Sequence, residues 1–173
     1  MEILKFPDVR LRFMADRLPS QEELPCIVAE MTSVMKEHKG IGLAATQVNL
    51  PYKLFIMKLP DKDKLWVVQD PQILRADKGI RLCEEGCLSI PNVWAKVERY
   101  RRIYVKYLDE NNQTVKCTLE GLTGCVWQHE MDHLSGILFV DRLSKTKKDE
   151  LFKEHKRIDG VCDGYDYPWV LNS

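Results

Sequence analysis

The chain has 173 residues, 45% hydrophobic and 30% charged, values that fit one globular domain with a substantial core. Lys plus Arg and Asp plus Glu both number 26, so net charge supplies no attraction to nucleic acid or to an anionic membrane. No run approaches the roughly 18 apolar residues of a membrane span. The opening "MEILKFPDVRLR" has neither the apolar stretch of a secretory signal nor the Arg/Ser-rich character of a transit peptide.

A single domain over residues 1–173, in the cytoplasm, is therefore expected. Six scattered cysteines (Cys26, Cys83, Cys87, Cys117, Cys125, Cys162) include no C-x-x-C pair, and in such a setting they read as reduced thiols.

Ser20 to Lys39 predicts the first helix. Leu24, Ile27, Val28, Met31, Val34 and Met35 recur at three- and four-residue spacing and make one apolar stripe. Ser20 with Glu23 resembles a capping box, and Gly40 stands where the helix stops. Pro25 conflicts with this start because it lacks a donor, so regular helix begins near it.

From Lys53 to Lys106 the pattern changes to short strand-like runs, "KLFIMKL", "LWVV" and "RIYVKY", which Pro51, Pro60, Pro71 and Pro91 are expected to keep short. "YVKYLDENNQTVKCTLE" predicts a hairpin turning at Asp109 to Asn112. A second helix is predicted from about Leu122 to Ser135, and a third, highly charged one from about Ser144 to Arg157. Strands between helices without regular β-α-β alternation predict α+β: short, mostly antiparallel strands around a central helix, with an N-terminal and a C-terminal helix.

The second helix contains "WQHEMDHLSG", in which His129, Glu130 and His133 form H-E-x-x-H. Histidines four positions apart share a helix face and can hold one metal ion. Leu122, Cys125 and Val126 precede His129 by seven, four and three positions, so the histidines continue an apolar, inward-facing stripe. Buried histidines beside a buried Glu are unfavourable without partners, and a metal would supply one. Two solvated histidines and a surface acid are the bland alternative.

Such an ion needs a third protein ligand and an open position. A histidine six residues after His133 would fit one peptidase pattern, but Phe139 stands there. Glu150 and Glu154 fit another, although "KTKKDELFKEHKR" reads as a solvated helix face. Upstream, "CEEGCLSIP" offers Cys87, whose thiolate would suit zinc or ferrous iron. On residue chemistry alone, Cys87 and the two glutamates both stay open.

Three ordered segments together resemble the peptide deformylase family: "GIGLAATQ" (Gly40 to Gln47), "EGCLS" (Glu85 to Ser89) and "QHEMDH" (Gln128 to His133). "ILKFPDVRLR" and "GILFVDRLS" add to the likeness, which covers the chain to about Ser144. The resemblance implies Cys87, His129 and His133 as ligands of one divalent ion, natively Fe(II), with zinc, nickel or cobalt able to replace it. It implies Glu130 as general acid/base, and Gln47 with the Leu88 N–H as donors to the oxyanion. The implied reaction is hydrolytic removal of the formyl group from N-terminal formyl-methionine of new proteins.

In that reading Gly40 and Gly42 let the backbone approach substrate closely. Leu122, Cys125 and Val126 form the methionine pocket, and Ile41 with Glu85, Gly86, Cys87 and Leu88 forms the opposite wall. Trp94 stands in the loop region of the peptide exit. The resemblance also raises contact with the ribosome through the charged C-terminal helix, for which a merely solvated helix is the plainer reading. The final "DGVCDGYDYPWVLNS" does not resemble a long C-terminal helix.

Overall fold

The computed structural model describes residues 1–60 and 63–158. Among the described residues, three helices, α1 (Leu24–Glu37), α2 (Gly121–Leu134) and α3 (Lys145–Ile158), combine with seven antiparallel strands. The strands are β1 (Gly42–Ala44), β2 (Leu54–Met57), β3 (Trp66–Ala76), β4 (Ile80–Cys87), β5 (Ile90–Tyr100), β6 (Arg102–Leu108) and β7 (Thr114–Glu120). Five form one sheet in the order β1-β2-β3-β6-β7, while β4 and β5 form a separate two-stranded ribbon. The class is α+β, as the patterning implied. Among the described residues no helix is long and apolar enough to cross a membrane.

Helix α1 shows how local chemistry sets its ends. Glu23 N–H donates to Ser20 Oγ at 3.2 Å and Ser20 N–H donates to the Glu23 carboxylate at 3.0 Å. That reciprocal box lies in the turn before the helix, because Pro25 falls at its first positions. At the other end, Gly40 N–H reaches back to the Met35 carbonyl at 2.8 Å, and Lys39 holds the left-handed conformation with φ 56°. The closure is of the Schellman type, and the left-handed residue is Lys39, one position before the expected Gly40. Met31, Val34 and Met35 face a cluster with Leu43, Leu54 and Ile56.

Helix α2 is buried along nearly its whole length. Trp127, fully buried, sets its ring edge-to-face against Phe55 at 5.0 Å and Tyr107 at 5.2 Å. These contacts press α2 onto the five-stranded sheet and fix its rotation. One stripe expectation changes: Cys125 and Val126 are buried, but Leu122 is 49% exposed.

Prolines limit the strands less than expected. Pro71 and Pro91 both lie inside eleven-residue strands, β3 and β5. Pro71 falls where the β3–β6 register shifts between Gln69 and Gln72, and Pro91 sits at the bulged start of a ribbon with a free outer edge. Neither place demands a ladder donor. The Asp109–Asn112 turn forms as expected, with Asp109 N–H bonded to the Gln113 carbonyl at 3.0 Å.

The thiol expectation is corrected for two residues. Cys83 on β4 and Cys125 on α2 form a disulfide, while Cys26, Cys87 and Cys117 are free. The pair is 42 residues apart in sequence and meets only because the ribbon packs on α2. Cys162 and the stretch from residue 159 onward lie outside the described residues.

Candidate metal and catalytic site

Two elements converge on one point. The last residue of β4 presents Cys87, and one face of α2 presents His129 and His133, whose rings lie 4.9 Å apart. Ligand atoms of Cys87, His129 and His133 all fall within 4.8 Å of one another. Cys87 Sγ is 3.2 Å from His133 Nε2. Glu150, the rival third ligand, is exposed on α3, and the Glu154 side chain lies outside the described residues. Phe139, at the other rival position, stacks on the His129 ring at 6.0 Å.

Electrostatics suit a cation. Burial would raise the Cys87 thiol, but the imidazoles of His133 and His129 outweigh it and hold the group well below its ordinary range. A sulfur kept as thiolate beside two imidazoles is a donor set for a divalent transition ion. His129 Nδ1 faces the Glu85 carboxylate at 2.8 Å, which leaves Nε2 for an ion. Among the described residues, His133 Nδ1 and Glu130 Oε2 are the buried side-chain polar atoms without a hydrogen-bond partner. Such atoms are rare in folded proteins and call for a water, an ion or a catalytic role.

Glu130 sits one residue beyond His129, on another side of the helix. Burial pushes its carboxyl up to about 7, although His129 and His133 oppose the rise. A proton acceptor and donor near neutral pH results. Gly42 supplies the space: a Cβ there would stand 2.2 Å from Glu130 Oε1.

Gln47 lies in a short 3-10 turn after β1 (Ala45–Val48) and is buried. Its Oε1 accepts from Ala44 N–H at 2.9 Å, which fixes the amide so that Nε2 points to Ser89 Oγ at 3.0 Å and Cys87 Sγ at 3.5 Å. Leu88, next to the sulfur, has its carbonyl taken by Lys5 Nζ at 2.6 Å.

A cleft of about 520 Å³ opens onto this cluster. Gly40, Ile41, Gly42, Gln47, Glu85, Gly86, Cys87, Leu88, Leu122, Cys125, Val126, His129 and Glu130 all line it, with Leu122 toward solvent. His133 is buried beneath. Trp94 also lines the cleft, with its ring against Gly86, where a Cβ would stand 2.9 Å from the indole. Gly86 therefore makes room for Trp94.

Family comparison agrees with the geometry. The family model described as polypeptide deformylase matches residues 1–149. The chain belongs to the polypeptide deformylase family. A peptide deformylase of Pseudoalteromonas translucida is 37% identical over 89% of this chain and 93% of its own length. One from Psychrobacter cryohalolentis is 41% identical over 86% of this chain and 82% of its own. Among solved structures, the Synechococcus elongatus peptide deformylase in complex with actinonin superposes with TM-score 0.83 at 36% identity, covering 89% of this chain and 85% of that one. The Legionella pneumophila peptide deformylase gives 0.82 at 34%, covering 94% and 98%. The chain is thus a deformylase-family hydrolase that removes N-formyl groups from nascent peptides, and the family is metal-dependent.

Residues not anticipated from sequence support the deformylase site. Arg99, 3% exposed on β5, donates to both oxygens of Glu85 at 2.7 and 2.9 Å and to Asp132 at 2.6 Å. Arg142 closes on the other side of Asp132. Against its burial, Glu85 is held at about 2 by Arg99 and His129. Glu85, expected as part of a substrate wall, lines the cleft and also turns its carboxylate to the histidine. Asp132 lay inside the quoted motif, but an arginine in an alternating strand gives no signal of being buried.

Proposed function

We propose that Cys87, His129 and His133 hold one divalent ion, Fe(II) natively and replaceable by zinc, nickel or cobalt, and that Glu130 is the general acid/base of deformylation. The observation that carries this is the gathering of three soft and borderline donors within 4.8 Å, beside a buried carboxyl with an unpartnered oxygen. A bound ion would supply Lewis acidity, polarising the formyl carbonyl and making water acidic enough to deprotonate near neutral pH.

The chain's own groups do the rest. Glu130, poised at about 7, takes the proton of the attacking water and delivers it to the departing amine. Gln47 Nε2 and the Leu88 N–H donate to the formyl oxygen as its charge develops, an effect worth about 3 kcal/mol per donor in comparable sites. Support for Gln47 is its amide, locked by Ala44 N–H so that donor hydrogens face Cys87. The methionine side chain enters the apolar side of the cleft at Ile41, Cys125 and Val126, with Leu122 at the mouth. The peptide backbone runs along Gly40–Gly42 and the Glu85–Leu88 edge.

We extend the proposal to one catalytic domain over residues 1–173 acting in the cytoplasm, where formylated chains emerge. The basic excess of "KTKKDELFKEHKR" supports contact of α3 with the ribosome, and salt-sensitive co-sedimentation tests it. The test of the central proposal is anaerobic formate release from formyl-Met-Ala with metal analysis of the same sample. One ion per chain with turnover is expected. A chain without bound metal that still turns over would overturn it.

A further inference from the structure

The Cys83–Cys125 disulfide belongs neither to the donor set nor to the acid/base machinery, yet it lies beside both. Cys83 is four residues before Cys87 on β4, and Cys125 is one helical turn before His129 on α2. The bridge, with Cα atoms 6.3 Å apart, therefore joins the strand that leads to the sulfur donor to the helix that carries the imidazoles. Both cysteines are 5% exposed, and Cys125 lines the cleft beside Val126 on its apolar side.

The β4–β5 ribbon pairs with no strand of the five-stranded sheet. Its position against α2 is set by side chains: Arg99 to Asp132, Glu85 to His129, and Gln128 to the Tyr100 backbone. Among the described residues, the disulfide is the one covalent tie between ribbon and helix. Both elements line the cleft, β4 through Glu84 to Cys87 and α2 through Cys125, Val126 and His129. A non-covalent wall can yield to a wider or poorly fitting occupant, whereas a cross-linked wall cannot do so without moving the helix.

We propose that the Cys83–Cys125 bridge fixes the width of the first-residue pocket and so determines substrate affinity and side-chain preference. This rests on the deformylase reading of the cleft. With the bridge closed, the pocket fits an unbranched thioether chain closely. With two thiols in its place, the ribbon relaxes from α2 and the pocket discriminates less.

Opening requires a reductant of the dithiol class. One of its thiolates attacks a bridge sulfur, the S–S bond breaks, and a mixed disulfide forms with release of one protein thiol. The second thiol of the reductant displaces the other protein sulfur, leaving two protein thiols and a cyclic disulfide. Two electrons and two protons pass to the protein. Closure is the reverse exchange with a low-molecular-weight disulfide.

The test uses the metal-loaded full chain. Alkylation followed by peptide mapping reads the state of Cys83 and Cys125, metal content is followed throughout, and formate release is measured on formyl-Met-Ala and formyl-Leu-Ala. In untreated protein the two cysteines are expected in one linked peptide pair. After opening with dithiothreitol at constant metal content, KM for formyl-Met-Ala should rise roughly threefold or more, and the preference for Met over Leu should narrow, because a looser apolar pocket discriminates less between side chains. The change should fall mainly in KM, not in kcat.

A double variant, Cys83→Ser with Cys125→Ser, should show the raised KM from the start and no response to dithiothreitol. If it does not fold, the wild-type comparison still decides. Both cysteines alkylated in untreated protein, or unchanged KM and preference once mapping shows the bridge open, would overturn the proposal alone. Absence of formate release in every form would overturn the reading of the cleft and this proposal with it.

Discussion

Gly42 lies directly against Glu130: a side chain at residue 42 would bring a Cβ to 2.2 Å from Glu130 Oε1 and 3.1 Å from a Val126 methyl. A glycine in a loop-like segment is easily read as substrate clearance. Here it also clears room for the carboxyl. Gly42→Ala should leave the fold intact, since the residue is in β-strand conformation, and should displace Glu130. A misplacement of about an ångström is enough to lower activity roughly 100-fold. Formate-release kinetics beside circular dichroism would check this. Glu130→Ala should lose at least ~100-fold while keeping its metal, the usual scale for a general base.

Ligand identity separates the two sequence-level rivals. Cys87→Ala should lose the ion on dialysis, because two imidazoles alone leave the set one donor short. Glu150→Ala should keep it, since that side chain is exposed on α3. Metal analysis of the two purified variants reads the difference, and retention by Cys87→Ala would remove the sulfur from the site.

Arg99 is buried between Glu85 and Asp132. Removing one partner of a buried ion network leaves charge without compensation, at a cost of about 3–5 kcal/mol. Arg99→Ala should therefore lower the unfolding free energy by that amount, seen as a lower urea midpoint, with the low end favoured because Asp132 retains Arg142 and Glu85 retains His129. Equilibrium unfolding checks it.

Asp141 ties the segment after α2 to the N-terminus. Burial would raise its carboxyl, but Arg12, the Leu138 N–H and Lys148 together hold it below the ordinary value. A carboxyl depressed in the folded state contributes stability above its unfolded pKa and loses it as pH falls through the folded one. Asp141→Asn should thus lower Tm at neutral pH. The gap to wild type should stay constant down to about pH 5 and then shrink with further acidification, since an unfolded Asp titrates near ~3.9. Thermal scans from pH 7 to pH 3 would show it.

Trp94 is 63% exposed while lining the cleft. An aromatic face at the exit should contact residues beyond the first two of the substrate. Trp94→Ala should raise KM for formylated tetrapeptides about fivefold, the scale of a ~1 kcal/mol aromatic contact, and leave formyl-Met-Ala nearly unchanged. A peptide-length series measures this.

Sequence by itself determined the helices and the metal-site motifs, for one physical reason: each is written in local spacing. The apolar stripe of α1, the turn at Asp109–Asn112 and the two imidazoles four residues apart are properties of a single element. Residue chemistry alone left the third ligand open between Cys87 and the glutamates, and the ordered motifs were needed to favour the sulfur. Only the tertiary structure decided what depends on one element meeting another. It set Lys39 in the left-handed position at the α1 terminus, paired the Glu85 carboxylate with His129, and buried Arg99 between two acids. It also joined Cys83 to Cys125 across 42 residues. Long-range packing of the ribbon against α2 brings those partners together, and no spacing along the chain encodes that approach.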